Sequence, residues 1–451
     1  MQIRSCREID NITLSLVDIT YTSNQQARCS QTCYDTRLNY HRPLALMDWR
    51  TCAAIFAAAI LRQSLSFLFP SLHSLLGQHV EVTTTMTSFK QMKEGLHLYE
   101  IGLSPYNGGV YHQAPIFLLL FKFAGKFGPT SPDSFIINVL YTFADIITAY
   151  FLCAISKSPK LAKTNQLADW VIAALYLFNP LVVATNISRS TAVLSNATMV
   201  GSIAYACYNK NILSVIFLAV ASHANFYTIY LVPPFLLLWT STTNTSTASV
   251  TKYLFLYITA SAGLASIGYF MTGSWQYLSA TYGSLLFFKD LVPNMGLWWY
   301  FFMEMFDFFR PLFTYIFQLY SLIYVLPITF RLHNYPLMAI TCIVGITTIS
   351  KSYPEIGDLG MYISLLSLFR FIFPNVRYAL FAALVILHSL VLAPNFYHLW
   401  IYLGSGNANF IYAITLVYTI GLTIIITDTL RAALRIEFDG GADPSKSVIQ
   451  I

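Results

Sequence analysis

The chain has 451 residues, of which 56% are hydrophobic, 16% aromatic and only 10% charged, with 26 basic against 20 acidic side chains and a formal net charge of +6. Soluble domains carry about 25% charged residues, so this chain has too few charges to cover a water-facing surface of its size, and a soluble enzyme is excluded. The bases are scattered between apolar runs rather than gathered in a stripe, which argues against nucleic-acid binding.

Lipid tolerates only helices or closed barrels. Apolar runs of about 20 residues recur without two-residue alternation, so the fold class expected is an all-α polytopic membrane protein. Its cysteines (Cys6, Cys29, Cys33, Cys52, Cys153, Cys207 and Cys342) form no spaced disulfide framework, and several sit in apolar runs as small hydrophobes.

In chain order, residues 1–46 are polar and irregular, without the apolar core of a signal peptide. They read as a disordered tail, or as untranslated sequence ahead of a start at Met47, and Cys29, Cys33 and His41 are too few for a zinc site. The first span covers residues 51–70 and contains Arg62, which must snorkel or face protein. A polar loop follows over 71–113, with Glu81, Lys90, Lys93, Glu94, Glu100 and the turn-rich SPYNGG. The next apolar run, APIFLLLFKFAG, is too short to cross and reads as a re-entrant or interfacial helix. After the span at 134–155, Lys157, Lys160 and Lys163 mark a cytoplasmic loop, which puts the 71–113 loop on the lumenal or external side. Spans near 167–186 and 190–208 precede Lys210, and 212–240 holds two half-length pieces around SHANFYT and Pro233-Pro234, a broken-helix pattern. Beyond the low-complexity STTNTSTAS, apolar runs lie near 252–271, 295–303, 308–330, 337–350, 358–373, 377–394 and 409–430. The total is roughly ten to twelve spans. The membrane domain is therefore expected over 47–435, with a polar cytoplasmic tail at 436–451 and no internal repeat. Of the sequons at Asn11, Asn186, Asn196 and Asn244, most lie inside or beside spans, where glycosylation is not expected.

The chain lacks HExxH, GxSxG, P-loop and GxGxxG motifs, and no metal or cofactor site is expected. A multispan glycosyltransferase needs an acid or acidic pair in its first lumenal loop, to act as base or hold a metal. Here the three glutamates Glu81, Glu94 and Glu100 are dispersed, and the one close E-x-D, Glu437 with Asp439, falls on the wrong side. Ionisable residues within spans are functional candidates or structural pairs: Asp145, Glu304 with Asp307 one turn apart, and Lys351 with Asp358. The aromatic cluster Trp298, Trp299, Tyr300, Phe301 and Phe302 reads as an interfacial belt ahead of an acyl-chain slot. In HLWIYLGSGNANFIYAITL, small residues allow close approach while Asn407 and Asn409 offer neutral donors and acceptors for phosphate or sugar. A helix N-cap in a tight turn is the plainer use, and residue chemistry alone favours it.

Five blocks, in order, carry a resemblance to one family: KEGLHLYEIGLSPYNGGVYHQAP, FNP at 178–180, PNMGLWWYFFMEMF at 293–306, KSYPEIGDLGMY at 351–362 and HLWIYLGSGNANFIYAIT at 398–415. Together they resemble PIG-U, the multispan subunit of the glycosylphosphatidylinositol (GPI) transamidase complex. The resemblance implies residence in the endoplasmic reticulum membrane, a fold related to lipid-phosphate-sugar glycosyltransferases that lacks the catalytic acid, and a role in holding the GPI lipid. It implies partner subunits PIG-K, which carries the Cys/His chemistry, PIG-T, PIG-S and the GPI-anchor-attachment subunit, and no catalytic residue in this chain. It also implies a GPI-binding role for Asn407 and Asn409, which reverses the preference for capping. Glu304, Asp307, Asp358 and Asp145 remain weaker structural or lipid-pocket candidates, and Lys252 is not clearly in register with the family's basic loop residue. An active mannosyltransferase using dolichyl-phosphate-mannose and a transporter are the rival readings.

Overall fold

The computed structural model describes residues 48–130, 134–161, 167–241, 247–287 and 291–438. The N-terminal stretch 1–46, Lys163, the middle of STTNTSTAS and nearly all of the 436–451 tail, Asp439 included, lie outside the described residues.

Every regular element among the described residues is helical. The principal helices are α1 (Trp49–Leu68), α2 (Phe89–Glu100), α3 (Pro115–Gly125), α4 (Phe135–Ser156), α5 (Asp169–Leu177), α6 (Pro180–Ile187), α7 (Ala192–Cys207) and α8 (Asn211–Ala224). They continue with α9 (Val232–Thr240), α10 (Thr247–Thr272), α11 (Trp299–Glu304), α12 (Arg310–Arg331), α13 (Pro336–Ser350), α14 (Ile356–Leu366), α15 (Ala379–Tyr397) and α16 (Ala408–Phe438). By length and composition six helices can cross a membrane, or seven if α5 and α6, bent by 52° at their junction, count as one span. The larger number expected from hydropathy arises because six further apolar helices are only 10–17 residues long. At 1.5 Å per residue these fall short of a bilayer core of about 30 Å.

The breaks follow local chemistry. At FNP, a proline disfavours helix in the residue before it, the Asn179 side chain accepts the Leu181 N–H at 3.0 Å, and Pro180 opens α6. Between 212 and 240 the expected broken pattern is present: α8 ends at Ala224, Asn225 caps a 3-10 turn over Phe226–Leu231, and α9 resumes. The 71–113 segment, read as a polar loop, contains α2. Phe89, Met92, Gly95 and Leu96 form its buried stripe. This stripe joins α3, Tyr106, Tyr111, Tyr141 and Tyr277 in a second hydrophobic core. Gly95 is required there, since a Cβ would lie 2.5 Å from the Tyr111 ring.

Two faces of the bundle are defined by what gathers on them. Lys160 Nζ donates to the Ala206 carbonyl near the end of α7 (3.1 Å) and to the Leu238 carbonyl near the end of α9 (2.8 Å), while Lys157 pairs with Asp169 at 2.6 Å. Cations are thus placed against helix C-termini on one basic face. The opposite, loop-bearing face collects the starts of α7, α14 and α16 with the 71–113 segment.

Arg62 does not snorkel. It lies 2% exposed and donates to Asp145, itself fully buried, at 2.9 Å. Tyr176 and Asn186 complete the shell, donating to Asp145 at 2.9 and 2.8 Å. Asn186 also donates to the Tyr141 carbonyl, so this sequon is consumed inside the bundle. The pair and its shell link α1, α4, α5 and α6. Removing one partner strands a buried charge, at a cost of about 3–5 kcal/mol. Arg62→Leu and Asp145→Leu should each sharply lower the thermal stability of the detergent-solubilised protein, whereas the double variant Arg62→Met/Asp145→Leu should recover most of it; equal losses in all three would contradict a coupled pair.

Candidate functional site

On the loop-bearing face one carboxylate ties three distant segments together. Glu355, 3% exposed, accepts from the Thr84 hydroxyl (3.0 Å) and from Thr87 with one oxygen, and from the Ser190 hydroxyl (2.9 Å) with the other. It is also the N-cap of α14, in a reciprocal capping box with Asp358, whose side chain accepts the Glu355 N–H at 3.0 Å. Asp358 pairs in addition with Lys351. The Glu81 carbonyl accepts the Ile356 N–H at 2.9 Å, and the Thr87 carbonyl accepts the Thr191 N–H at 3.0 Å. Glu355 is not among the site residues expected from the sequence; the E-x-x-D spacing of Glu355 and Asp358 within KSYPEIGD, ahead of an apolar run, is the sequence signal of this cap. Both of its oxygens are occupied by donors, which suits a structural knot. Above it lies an open cleft of about 620 Å³ lined by residues that include His112, Gln113, Asn225, Tyr227 and Lys351.

The other two motif blocks meet elsewhere on the same face. Trp298, Trp299 and Phe302 are buried, so most of the aromatic cluster is packing and not a belt. Trp298 stacks on Phe317 of α12 (4.3 Å between centroids) and donates its indole N–H to the Ser350 carbonyl (2.9 Å). Trp299 stacks on Trp400 and meets Tyr412 edge to face, while Tyr300 stacks on Tyr412 at 4.5 Å. This wall holds the loop between α15 and α16. Gly404 has φ +63, the left-handed conformation of a helix C-terminal cap. The Ser405 and Gly406 N–H groups both donate to the Leu399 carbonyl, at 3.0 and 2.9 Å. Gly406 passes so close to Trp400 that a Cβ would lie 2.9 Å from its backbone nitrogen.

Asn407 and Asn409 follow, both exposed. Asn407 does cap α16, accepting the Asn409 N–H at 2.9 Å, and the Asn409 side-chain oxygen accepts the Tyr300 hydroxyl. These bonds use the two side-chain carbonyl oxygens, and both exposed residues keep their amide NH₂ groups as donors. The remaining candidates lie apart. Glu304 ends α11 and Asp307 opens the next turn, both exposed, with Asp307 3.9 Å from Arg310. The helix is interrupted at Met305 and Phe306, which are extended, so these two carboxylates do not share a buried helix face. Of the loop glutamates, Glu94 and Glu100 are exposed on α2 while Glu81 is buried, so the three form no acidic pair. Among the described residues no group of three metal-ligating side chains occurs, and Cys153, Cys207 and Cys342 are buried free thiols.

A family model described as GPI transamidase subunit PIG-U matches residues 56–418. Similar proteins include the GPI transamidase component GAB1 of Saccharomyces cerevisiae, 36% identical over 88% of this chain and 97% of the relative. The GAB1 homolog of Schizosaccharomyces pombe is 34% identical over 80% of this chain and 88% of its own length. The human GPI-anchor transamidase component PIGU is 29% identical over 86% and 93%.

Burial raises the Glu81 carboxyl from 4.5 to about 7, and His79, 3.7 Å away, has its own pKa lowered by burial and gives little relief. The folded chain therefore holds a proton there that the unfolded chain has released, and stability falls as pH rises from 4.5 to 7. Above that window the penalty is roughly 3 kcal/mol at most. Glu81→Gln should leave the apparent melting temperature unchanged at pH 4.5 and raise it by several degrees at pH 8; the same shift at both pH values would contradict the assignment.

Proposed function

The chain belongs to the PIG-U family of GPI transamidase subunits, and we propose that within the complex it holds the GPI lipid for transfer while another subunit performs the chemistry. Membership makes it a component of that complex and not a mannosyltransferase. The observation that carries the lipid-holding role is the junction at Asn409, where the Tyr300 hydroxyl joins the PNMGLWWYFFMEMF block to the GSGNAN loop and leaves two amides exposed. A lipid entering from the bilayer leaves one apolar medium for another, so chain burial gives little selectivity. Hydrogen bonds from the Asn407 and Asn409 amides to the headgroup, beside the start of the 31-residue α16, supply it.

The same reading places the complex in the endoplasmic reticulum membrane, with PIG-K supplying the Cys/His site and PIG-T, PIG-S and the GPI-anchor-attachment subunit as partners. It treats the bundle as a glycosyltransferase-like scaffold without its acid, in keeping with the dispersed Glu81, Glu94 and Glu100.

Because Asn407 is a helix cap, alanine there costs about 1 kcal/mol of helix stability as well as two donors. Serine keeps the cap and removes the amide. Asn407→Ser/Asn409→Leu should lower attachment of a GPI-anchored reporter on the order of tenfold, the equivalent of two ordinary hydrogen bonds, with the partner subunits still copurifying. Full attachment by this variant would reduce both asparagines to structural roles.

A further inference from the structure

A second cleft, of about 560 Å³, opens on the loop-bearing face between the 77–91 stretch, residues 292–294, Tyr353 and Tyr397. It is distinct from the cleft at Glu355 and shares only Tyr353 with it. None of its lining residues is Lys, Arg, Asp or Glu; threonines, a serine, Gln78, Gln91, Asn294 and two tyrosines make up its polar wall. Two of these side chains have a buried oxygen without a hydrogen-bond partner among the described residues: Thr85 Oγ1 and Gln91 Oε1. Burying an unpaired acceptor is unfavourable, so both atoms favour an occupant that brings hydroxyl donors.

The chemistry of the occupant follows from the wall. A phosphate here would meet no cation, and an ammonium group would meet no carboxylate, so either charge would be desolvated without compensation. An apolar chain would leave Thr85 and Gln91 unpaired. A hydroxyl-rich neutral ring satisfies them, and tyrosine faces suit the C–H surface of a sugar as amide and hydroxyl groups suit its edge. Burial raises the Glu81 carboxyl, which acts on Tyr397, to about 7, so it carries less charge beside the cleft than an exposed glutamate would.

The cleft also has a place in the route to the amide loop. Tyr397 ends α15, two residues before the Leu399 carbonyl to which Ser405 and Gly406 are hydrogen-bonded. We propose that this cleft is a subsite for neutral hexose rings, binding the glycan of the lipid whose headgroup is engaged at Asn407 and Asn409. The subsite rests on the lipid-holding role, but its recognition groups are separate from the asparagines.

The test uses the complete complex in detergent, with linear mannotriose as the neutral probe and inositol phosphate as the anionic one, read by saturation-transfer NMR. Saturation transfer to mannotriose is expected for the wild type. Affinity should fall about tenfold in Thr85→Val/Gln91→Leu, as for the loss of two ordinary hydrogen bonds, and remain unchanged in Asn407→Ser/Asn409→Leu. Tyr397→Phe, which keeps the ring, should weaken binding less and controls for misfolding. No transfer to mannotriose, equal transfer in the cleft variant, or preference for inositol phosphate would each overturn the subsite. Loss of a partner subunit from the cleft variant would also overturn it, by showing that a protein segment fills the cleft. Normal reporter attachment by the asparagine variant, with the mannotriose result intact, would instead defeat the lipid-holding role and spare the sugar site.

Discussion

The arrangement of the loop-bearing face depends on the satisfaction of one buried carboxylate. Glu355 draws donors from Thr84, Thr87 and Ser190 and caps α14 itself. These segments are separated in sequence by about a hundred residues or more, and Glu355 joins their polar turns directly. A buried carboxyl group that must find its hydrogen bonds is a strong organiser, because an unsatisfied polar group is far costlier when buried than when exposed. By pinning the 84–87 turn, Glu355 also sets one wall of both clefts.

The same logic runs through the interior. Lipid offers no hydrogen bonds, so interrupted helices are tolerated only where protein or a polar cavity satisfies the freed backbone. The break at FNP is closed by Asn179 and the one at 225 by the Asn225 side chain. The Arg62–Asp145 pair is placed where Tyr176 and Asn186 can share its load. Half-length helices such as α7, α8 and α9 then pack inside the bundle, while α10, α12 and α15 turn many large apolar side chains outward, among them Phe270, Tyr315 and Leu380.

The two proposed recognition regions differ in chemistry. The GSGNAN loop presents amide donors at the start of a long helix, a setting that favours anionic or strongly polar groups. The cleft beside Tyr397 is neutral and rich in hydroxyl and amide acceptors. Placing them on the same face allows a lipid headgroup and the sugars attached to it to be bound by different parts of one chain.

The sequence by itself determined the membrane environment, the helical class, the broken segment at 212–240 and the side on which the lysines gather, because each depends on composition or on local pattern. It also carried the family, through five ordered blocks. It could not determine how many helices have the length to cross, since where a helix ends within an apolar stretch is set by breaks and packing that hydropathy does not record. The amphipathic stripe of α2 was present as Phe89, Met92 and Leu96, but a polar background masked it. Only the tertiary structure showed that Arg62 meets Asp145 and that Trp298 and Trp299 are internal. It alone revealed that Glu355 is a knot and that Asn407 caps a helix while keeping its amide exposed. Those facts rest on contacts between residues far apart in sequence, and burial, which decides whether a polar group is a liability or a tool, exists only once the chain has closed around it.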